Sequence, residues 1–107
     1  MDKENALNII LHYGLKHQIR KFAEESFELA ECLLSEPNNA EHVAEEIADC
    51  CVMIEQFKQL FCFSDAEITA IANSKISRQI KRIKDEKDDN NFGDSCNRNR
   101  MRGNPAV

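Results

Sequence analysis

Two short acidic motifs hold the residues best suited to chemistry in this chain. Glu25 and Glu28 form a Glu-x-x-Glu motif, Glu46 and Asp49 form a Glu-x-x-Asp motif, and seventeen residues separate the two. Residues three apart lie on one face of a helix, so two such pairs on antiparallel helices can converge. Several ionised carboxylates taken out of water together must be protonated, find cations or hold a metal.

The distribution of charge around these motifs favours a metal. No Lys or Arg occurs between Lys21 and Lys58, so ion pairs within this stretch cannot neutralise four acids. Clustered carboxylate oxygens suit a hard divalent cation, Mg²⁺ or Mn²⁺. A di-iron bundle would need Glu-x-x-His, which the chain lacks. The alternative is that these acids coat a solvated surface, which is the usual place for Glu.

On a helical wheel, each motif places one carboxylate among apolar residues. Glu25 falls within the apolar stripe of its helix, and Glu46 falls within the stripe of the next. Glu28 and Asp49 lie at the rims of these stripes, whereas Gln56 faces away. The pattern therefore predicts two helices that each direct a Glu into the packed face.

The elements that must carry these residues are all helical. Gly14 separates the first two helices, and Pro37 follows the second. Asn38 and Ser64, each followed three residues later by Glu, have the form of capping boxes that open the third and fourth. No alternation of apolar and polar residues supports a strand, so the predicted fold class is all-α. The predicted helices cover about residues 3–13, 15–35, 39–60 and 64–86.

The composition describes a small acidic protein. The chain has 107 residues, of which 42% are hydrophobic and 31% charged, and its net charge of −5 argues against general nucleic-acid binding. We expect one domain over residues 1–86 and a disordered polar tail over 87–107. Without a signal peptide or an apolar membrane span, a cytoplasmic location is expected. The five cysteines lack metal-site spacing and are expected to be structural thiols.

A second charge block follows the acidic helices. Ten acids and no Lys or Arg occur from Phe22 to Phe57, whereas residues 75–84 hold five basic residues and no acid. Lys75, Arg78 and Arg82 are spaced to form one stripe on the fourth helix. The simplest arrangement is an acidic antiparallel hairpin facing a basic helix. Complementing the helix dipole is the alternative explanation for this block.

The paired motif, followed by Lys75-Ile76-Ser77-Arg78, resembles the signature of MazG-like nucleoside triphosphate pyrophosphohydrolases, the all-α NTP pyrophosphatase superfamily. The resemblance extends over about residues 5–83, and the chain also looks like the smaller, single-domain members found in phages and bacteria. It implies a four-helix, oligomeric fold and the reaction of an NTP or dNTP with water to give a nucleoside monophosphate and pyrophosphate.

The resemblance also implies roles for individual residues. Magnesium, or manganese, would be held by the four acids of the two motifs, one of which could act as general base. Phosphate oxygens would be bound by Lys75 and Arg78. Gln18, Lys21 and Arg82 are further candidates for substrate contacts. A homodimer or homotetramer is expected, and the base and sugar of the substrate stay open.

The main alternative to an enzyme is a non-catalytic helical module. Such a protein would use the apolar stripes for oligomerisation or for binding a protein partner, and would need no metal. A coiled-coil adaptor does not fit, because no heptad pattern persists over three or four repeats.

Overall fold

The structure is a computed structural model that describes residues 1–35, 37 and 39–93, with the backbone alone for residues 91–93. Asn38, Cys96 and the part of the predicted tail from residue 94 onward lie outside the described residues.

The described residues form four α-helices and no strand, which confirms the all-α class. The first three helices begin and end within one residue of the predicted limits. The fourth continues past residue 86 to Gly93. The helices are Lys3–Tyr13 (α1), Leu15–Leu34 (α2), Ala40–Leu60 (α3) and Asp65–Gly93 (α4).

Local hydrogen bonds explain where the first two helices begin and end. The Asp2 carboxylate accepts a hydrogen bond from the Asn5 backbone amide at 3.0 Å and caps α1. Gly14 follows α1 with a φ of 91°, a conformation that side chains with a Cβ rarely adopt. Gly14 therefore breaks the helical run and lets α2 begin at once in a new direction.

The third helix is capped one residue later than the capping-box pattern predicts. The side chain of Asn39 accepts hydrogen bonds from the backbone amides of Glu41 at 3.0 Å and His42 at 3.2 Å. An Asn side chain in this position satisfies amides that have no partner within the helix. The fourth helix begins directly after Ser64, as predicted.

The chain separates into two compact units, Met1–Ser64 and a second unit that begins at Asp65 with α4. In the first unit α3 packs against both α1 and α2. The buried hydrophobic side chains among the described residues are Ala6 and Ile10 of α1 and Cys50 and Met53 of α3. α1 and α2 also contact each other, so each helix of the first unit packs against the other two.

A polar clasp also links α1 to α3. The buried Glu55 carboxylate pairs with Lys3 at 3.3 Å and Lys58 at 3.4 Å, and it accepts a hydrogen bond from Gln59 at 2.7 Å. The Gln59 amide, followed by the two lysines, lowers the pKa of Glu55. The carboxylate is thereby kept charged although it is buried.

The predicted orientation of α3 is wrong in part. Gln56, predicted to face away from the core, is only 2% exposed. Ile47 and Ile54 belong to the apolar stripe of the same helix, yet they are 45% and 44% exposed. Both differences arise because α3 has two packing neighbours, so the covered part of its surface is not centred on the apolar stripe.

No helix in the described part of the chain combines the length and apolarity needed to cross a bilayer. α4 is a helix of 29 residues whose side chains are exposed through residue 90, apart from the half-buried Ile68. The large apolar residues exposed on the described part of α4 are Ile71, Ile76, Ile80 and Ile83.

Candidate metal centre

Three of the four predicted acids meet between α2 and α3. One carboxylate oxygen each from Glu25, Glu28 and Glu46 lies within 4.8 Å of the others. Two of these side chains project from successive turns of α2 and the third projects from α3. Oxygens at this separation can bind one divalent cation after small side-chain rotations, with water completing its coordination.

Burial distinguishes this group from an ordinary acidic surface. Glu25 is only 8% exposed and Glu46 is half-buried, while Glu28 is exposed. The Oε2 atoms of Glu25 and Glu46 are both buried and accept no hydrogen bond. A buried carboxylate oxygen without a partner is costly, and the cost rises when another carboxylate lies close by. A bound cation or a proton would therefore remove this cost.

Nitrogen-bearing side chains lie close to the other oxygens of the same two carboxylates. Lys21 Nζ lies 3.3 Å from Glu25 Oε1, and His42 Nε2 lies 3.3 Å from Glu46 Oε1. The hydrogen bond and charge of Glu25 raise the pKa of Lys21. Lys21, at the end of the stretch that lacks Lys and Arg, supplies a Lys contact to this group. Even so, these contacts use one oxygen of each carboxylate and leave the two buried Oε2 atoms unpaired.

A buried thiol lies next to the acids. Burial raises the pKa of Cys50, and the nearby charges of Glu25 and Glu46 raise it further. The side chain of Ser26 hydrogen-bonds the thiol and acts in the opposite direction. Cys50 is therefore a neutral, buried thiol beside the acidic group. The described cysteines, Cys32, Cys50, Cys51 and Cys62, are all free. Cys50 is buried and Cys32 is half-buried, as expected of structural thiols, whereas Cys51 and Cys62 are exposed.

Asp49 occupies a different place from the other three acids. It is exposed and does not belong to the close group, but it lines a cavity of about 690 Å³ that Glu25 also lines. Glu24, which the helical pattern directs to the opposite side of α2, lines this cavity too. The cavity thus has an acidic wall that is continuous with the carboxylate group through Glu25.

The predicted substrate residues Gln18 and Lys21 lie on this cavity. Gln18 is 3% exposed, and its Nε2 donates a hydrogen bond of 2.8 Å to Oε1 of Gln56. This bond joins α2 to α3 beside the acidic wall. Lys21 is half-exposed and carries its charge to the cavity edge. Both residues are therefore available to a ligand that occupies the cavity.

The second unit holds Lys75 and Arg78, which are predicted to bind phosphate, and the substrate-contact candidate Arg82. Lys75, Arg78 and Arg82 lie on α4 and are exposed, and on the same helix Lys81 pairs with Asp85 at 3.4 Å. Their contribution to a substrate site stays a prediction.

Sequence reasoning missed four residues that lie at the carboxylate group or line the cavity. His42 is four residues before Glu46, a spacing that places both on one face of a helix and could have indicated the pair. Gln56 was missed because its burial depends on helices from elsewhere in the chain. The aromatic residues Tyr13 and His17, which also line the cavity, gave no signal in the sequence.

Comparison of the chain with family models, with curated proteins and with solved structures gives no match.

Proposed function

We propose that this protein is a Mg²⁺-dependent nucleoside triphosphate pyrophosphohydrolase. The observation that carries the proposal is the pair of buried, unpartnered oxygens of Glu25 and Glu46 in a group of three carboxylates. The paired acidic motifs that resemble the MazG-like signature supply the reaction class. Mn²⁺ is a chemically reasonable substitute, because it accepts the same oxygen ligands.

The residues present fit a divalent cation. Glu25, Glu28 and Glu46 would hold it, and Asp49 on the neighbouring cavity wall would serve a second ion or orient water. A bound Mg²⁺ would neutralise the charge of a triphosphate and polarise its phosphoryl oxygens. Without such an ion the acids of this region would repel a polyphosphate.

The chain's own groups account for the rest of the proposed reaction. Water attacks the α-phosphorus, the bond from that phosphorus to the bridging oxygen breaks, and pyrophosphate leaves with the electron pair. One of the four carboxylates accepts the proton of the attacking water. Lys21, which lines the cavity, would bind phosphate oxygens. We keep the prediction that Lys75 and Arg78 of α4 bind phosphate and that Arg82 contacts the substrate.

We further propose that the active form is a homodimer or homotetramer. Large apolar side chains are exposed on the first unit, including Ile19 at 51%, Phe27 at 64% and Leu33 at 50%. A second copy of the chain would cover such side chains and bury more apolar surface than the small unit buries alone. The same surface supports the alternative of a non-catalytic interaction module, which would assemble but would not need the carboxylate group.

A product assay separates these possibilities. The protein is incubated with a panel of NTPs and dNTPs in Mg²⁺, in Mn²⁺ and in excess chelator, and monophosphate and pyrophosphate are quantified. The expected result is equimolar monophosphate and pyrophosphate with at least one substrate, and no turnover in chelator. Turnover that persists in chelator would refute the metal role, and absence of turnover with every substrate would favour the interaction module.

A further inference from the structure

The cavity beside the carboxylate group contains features that metal binding does not use. It is lined by apolar side chains from α1 and α3, among them Ile9, Val52 and Met53, and by the amides of Gln18 and Gln56. Its volume of about 690 Å³ falls within the range of small-molecule sites, which is about 300–1,000 Å³. An apolar compartment with a few buried polar groups is typical of a site for a mostly apolar ring with polar edges.

The two amides form the polar part of this compartment. Gln18 and Gln56 are almost fully buried, and the amides are linked by the 2.8 Å hydrogen bond between helices. Gln18 Oε1 lies 2.7 Å from Nδ1 of His17, so both amide oxygens are engaged. Their amide nitrogens also approach the Met53 sulfur, at 4.0 Å and 3.7 Å. A thioether is a weak acceptor, so these buried N–H groups can still donate to a better one.

An aromatic pair lines the same cavity. The rings of Tyr13 and His17 stack, with centroids 4.9 Å apart and planes inclined by 15°. The pair spans Gly14, which allows the end of α1 and the start of α2 to bring the two rings together. Planar heterocycles, including all nucleobases, stack on such rings whatever substituents they carry.

We propose that this cavity binds the nucleobase, with Gln18 and Gln56 as the residues that read its edge. The inference depends on the proposed function, since it adds a base compartment to the proposed triphosphate site. The base lies against the apolar and aromatic wall, and a ring carbonyl or ring nitrogen accepts a hydrogen bond from the amide N–H groups. Glu25, shared by the cavity and the carboxylate group, places the phosphates at the acidic end.

The test uses uncharged nucleosides, which carry no phosphate and need no metal. Uridine, thymidine, cytidine, adenosine and guanosine are titrated into the full chain in chelator, and binding is followed by two-dimensional amide NMR. The expected result is saturable shifts at Tyr13, Gln18 and Gln56 with at least one nucleoside. Absence of binding by all five, or shifts confined to other parts of the chain, would overturn the proposal.

Two substitutions and a matched control measure how much the amides of Gln18 and Gln56 contribute to nucleoside binding. Gln18→Met and Gln56→Met keep side-chain length and remove the amide, and each should weaken nucleoside binding about tenfold, the loss expected for one buried hydrogen bond. Gln59→Met is the control, because Gln59 bonds Glu55 in the clasp and does not line the cavity. Dispersed amide spectra establish that each variant is folded. Equal affinity of the wild type and both cavity variants would contradict the assignment.

The two proposals fail in different ways. Nucleoside binding that depends on Gln18 and Gln56, without pyrophosphate release from any NTP, would refute the hydrolase and retain the base compartment. Pyrophosphate release with equal kcat/KM for the wild type and both cavity variants, together with no nucleoside binding, would retain the hydrolase and refute the base compartment.

Discussion

Glu25 on α2 and Glu46 on α3 lie close enough for their carboxylate oxygens to approach within 4.8 Å, and each has a buried Oε2 without a hydrogen-bond partner. The two residues are 21 positions apart and meet because α2 and α3 pack together. Their repulsion opposes folding in the absence of a cation. Occupation of the site by a divalent ion would turn this repulsion into a source of stability.

Magnesium should therefore raise the midpoint of thermal unfolding. A ligand that binds the native state alone, at a concentration of 100 times its Kd, stabilises by about 2.7 kcal/mol. Circular dichroism melts with increasing Mg²⁺ measure the shift, and chelator should reverse it. Glu25→Gln should melt higher than the wild type without metal, because the repulsion is gone, and should respond little to Mg²⁺. An equal Mg²⁺ response in both proteins would exclude Glu25 as a ligand.

Glu46→Gln should abolish turnover and leave the helices intact. The amide keeps the shape of the side chain but is a poor ligand for a hard cation. We expect kcat/KM to fall by at least about 100-fold, since even groups that only orient metal ligands contribute about 10–100-fold. Pyrophosphate release is the measurement. Glu45→Gln, its exposed neighbour on α3, is the control and should retain activity. Full activity of Glu46→Gln would remove this residue from the site.

Arg78→Ala should raise KM for a nucleoside triphosphate by about tenfold or more, because a hydrogen bond to a charged group contributes about 1.5–3 kcal/mol. Initial rates over a range of NTP concentrations test this. Lys81→Ala removes a positive charge from the same helix, but Lys81 already pairs with Asp85, so its effect should be small. If both substitutions raise KM equally, α4 contributes only general positive charge.

The Glu55 clasp should make stability depend on pH. Its pKa is lowered in the folded protein by the Gln59 hydrogen bond and the two lysines, from an ordinary value of 4.5. The stabilisation is therefore fully present above pH 4.5 and is lost as the pH falls through the lower, folded value. The gap in melting temperature between the wild type and Glu55→Gln should be constant near neutrality and narrow below this pH. Glu31→Gln, an exposed position on α2, should show no such gap.

The adjacent thiols Cys50 and Cys51 should differ in reactivity. Burial of Cys50, together with the nearby Glu25 and Glu46 carboxylates, disfavours its thiolate, whereas Cys51 is exposed. Alkylation of the native protein with iodoacetamide, followed by mass spectrometry of peptides, should modify Cys51 well before Cys50. Equal rates would mean that this part of α3 is open to solvent. Alkylation in denaturant, where both should react alike, is the control.

The amino-acid sequence by itself determined the helices and the acids. The limits of α1, α2 and α3 follow from local signals, such as Gly14 after α1, that act over a few residues. The position of Glu25 within an apolar stripe also follows from the helical period, and the residue is buried as that pattern predicts. These features are predictable because each depends on a single helix.

The tertiary structure alone decided which surfaces are covered and which oxygens meet. Gln56 is buried because α1 and α2 both pack on α3. The hydrophobic periodicity of α3 alone does not indicate this packing. The helical repeat places both Asp49 and Glu28 at the rim of an apolar stripe. In the structure, however, Asp49 lines the cavity and Glu28 belongs to the close group of carboxylates. Distances between helices depend on the angle and depth of packing, which the side chains of all three helices set together.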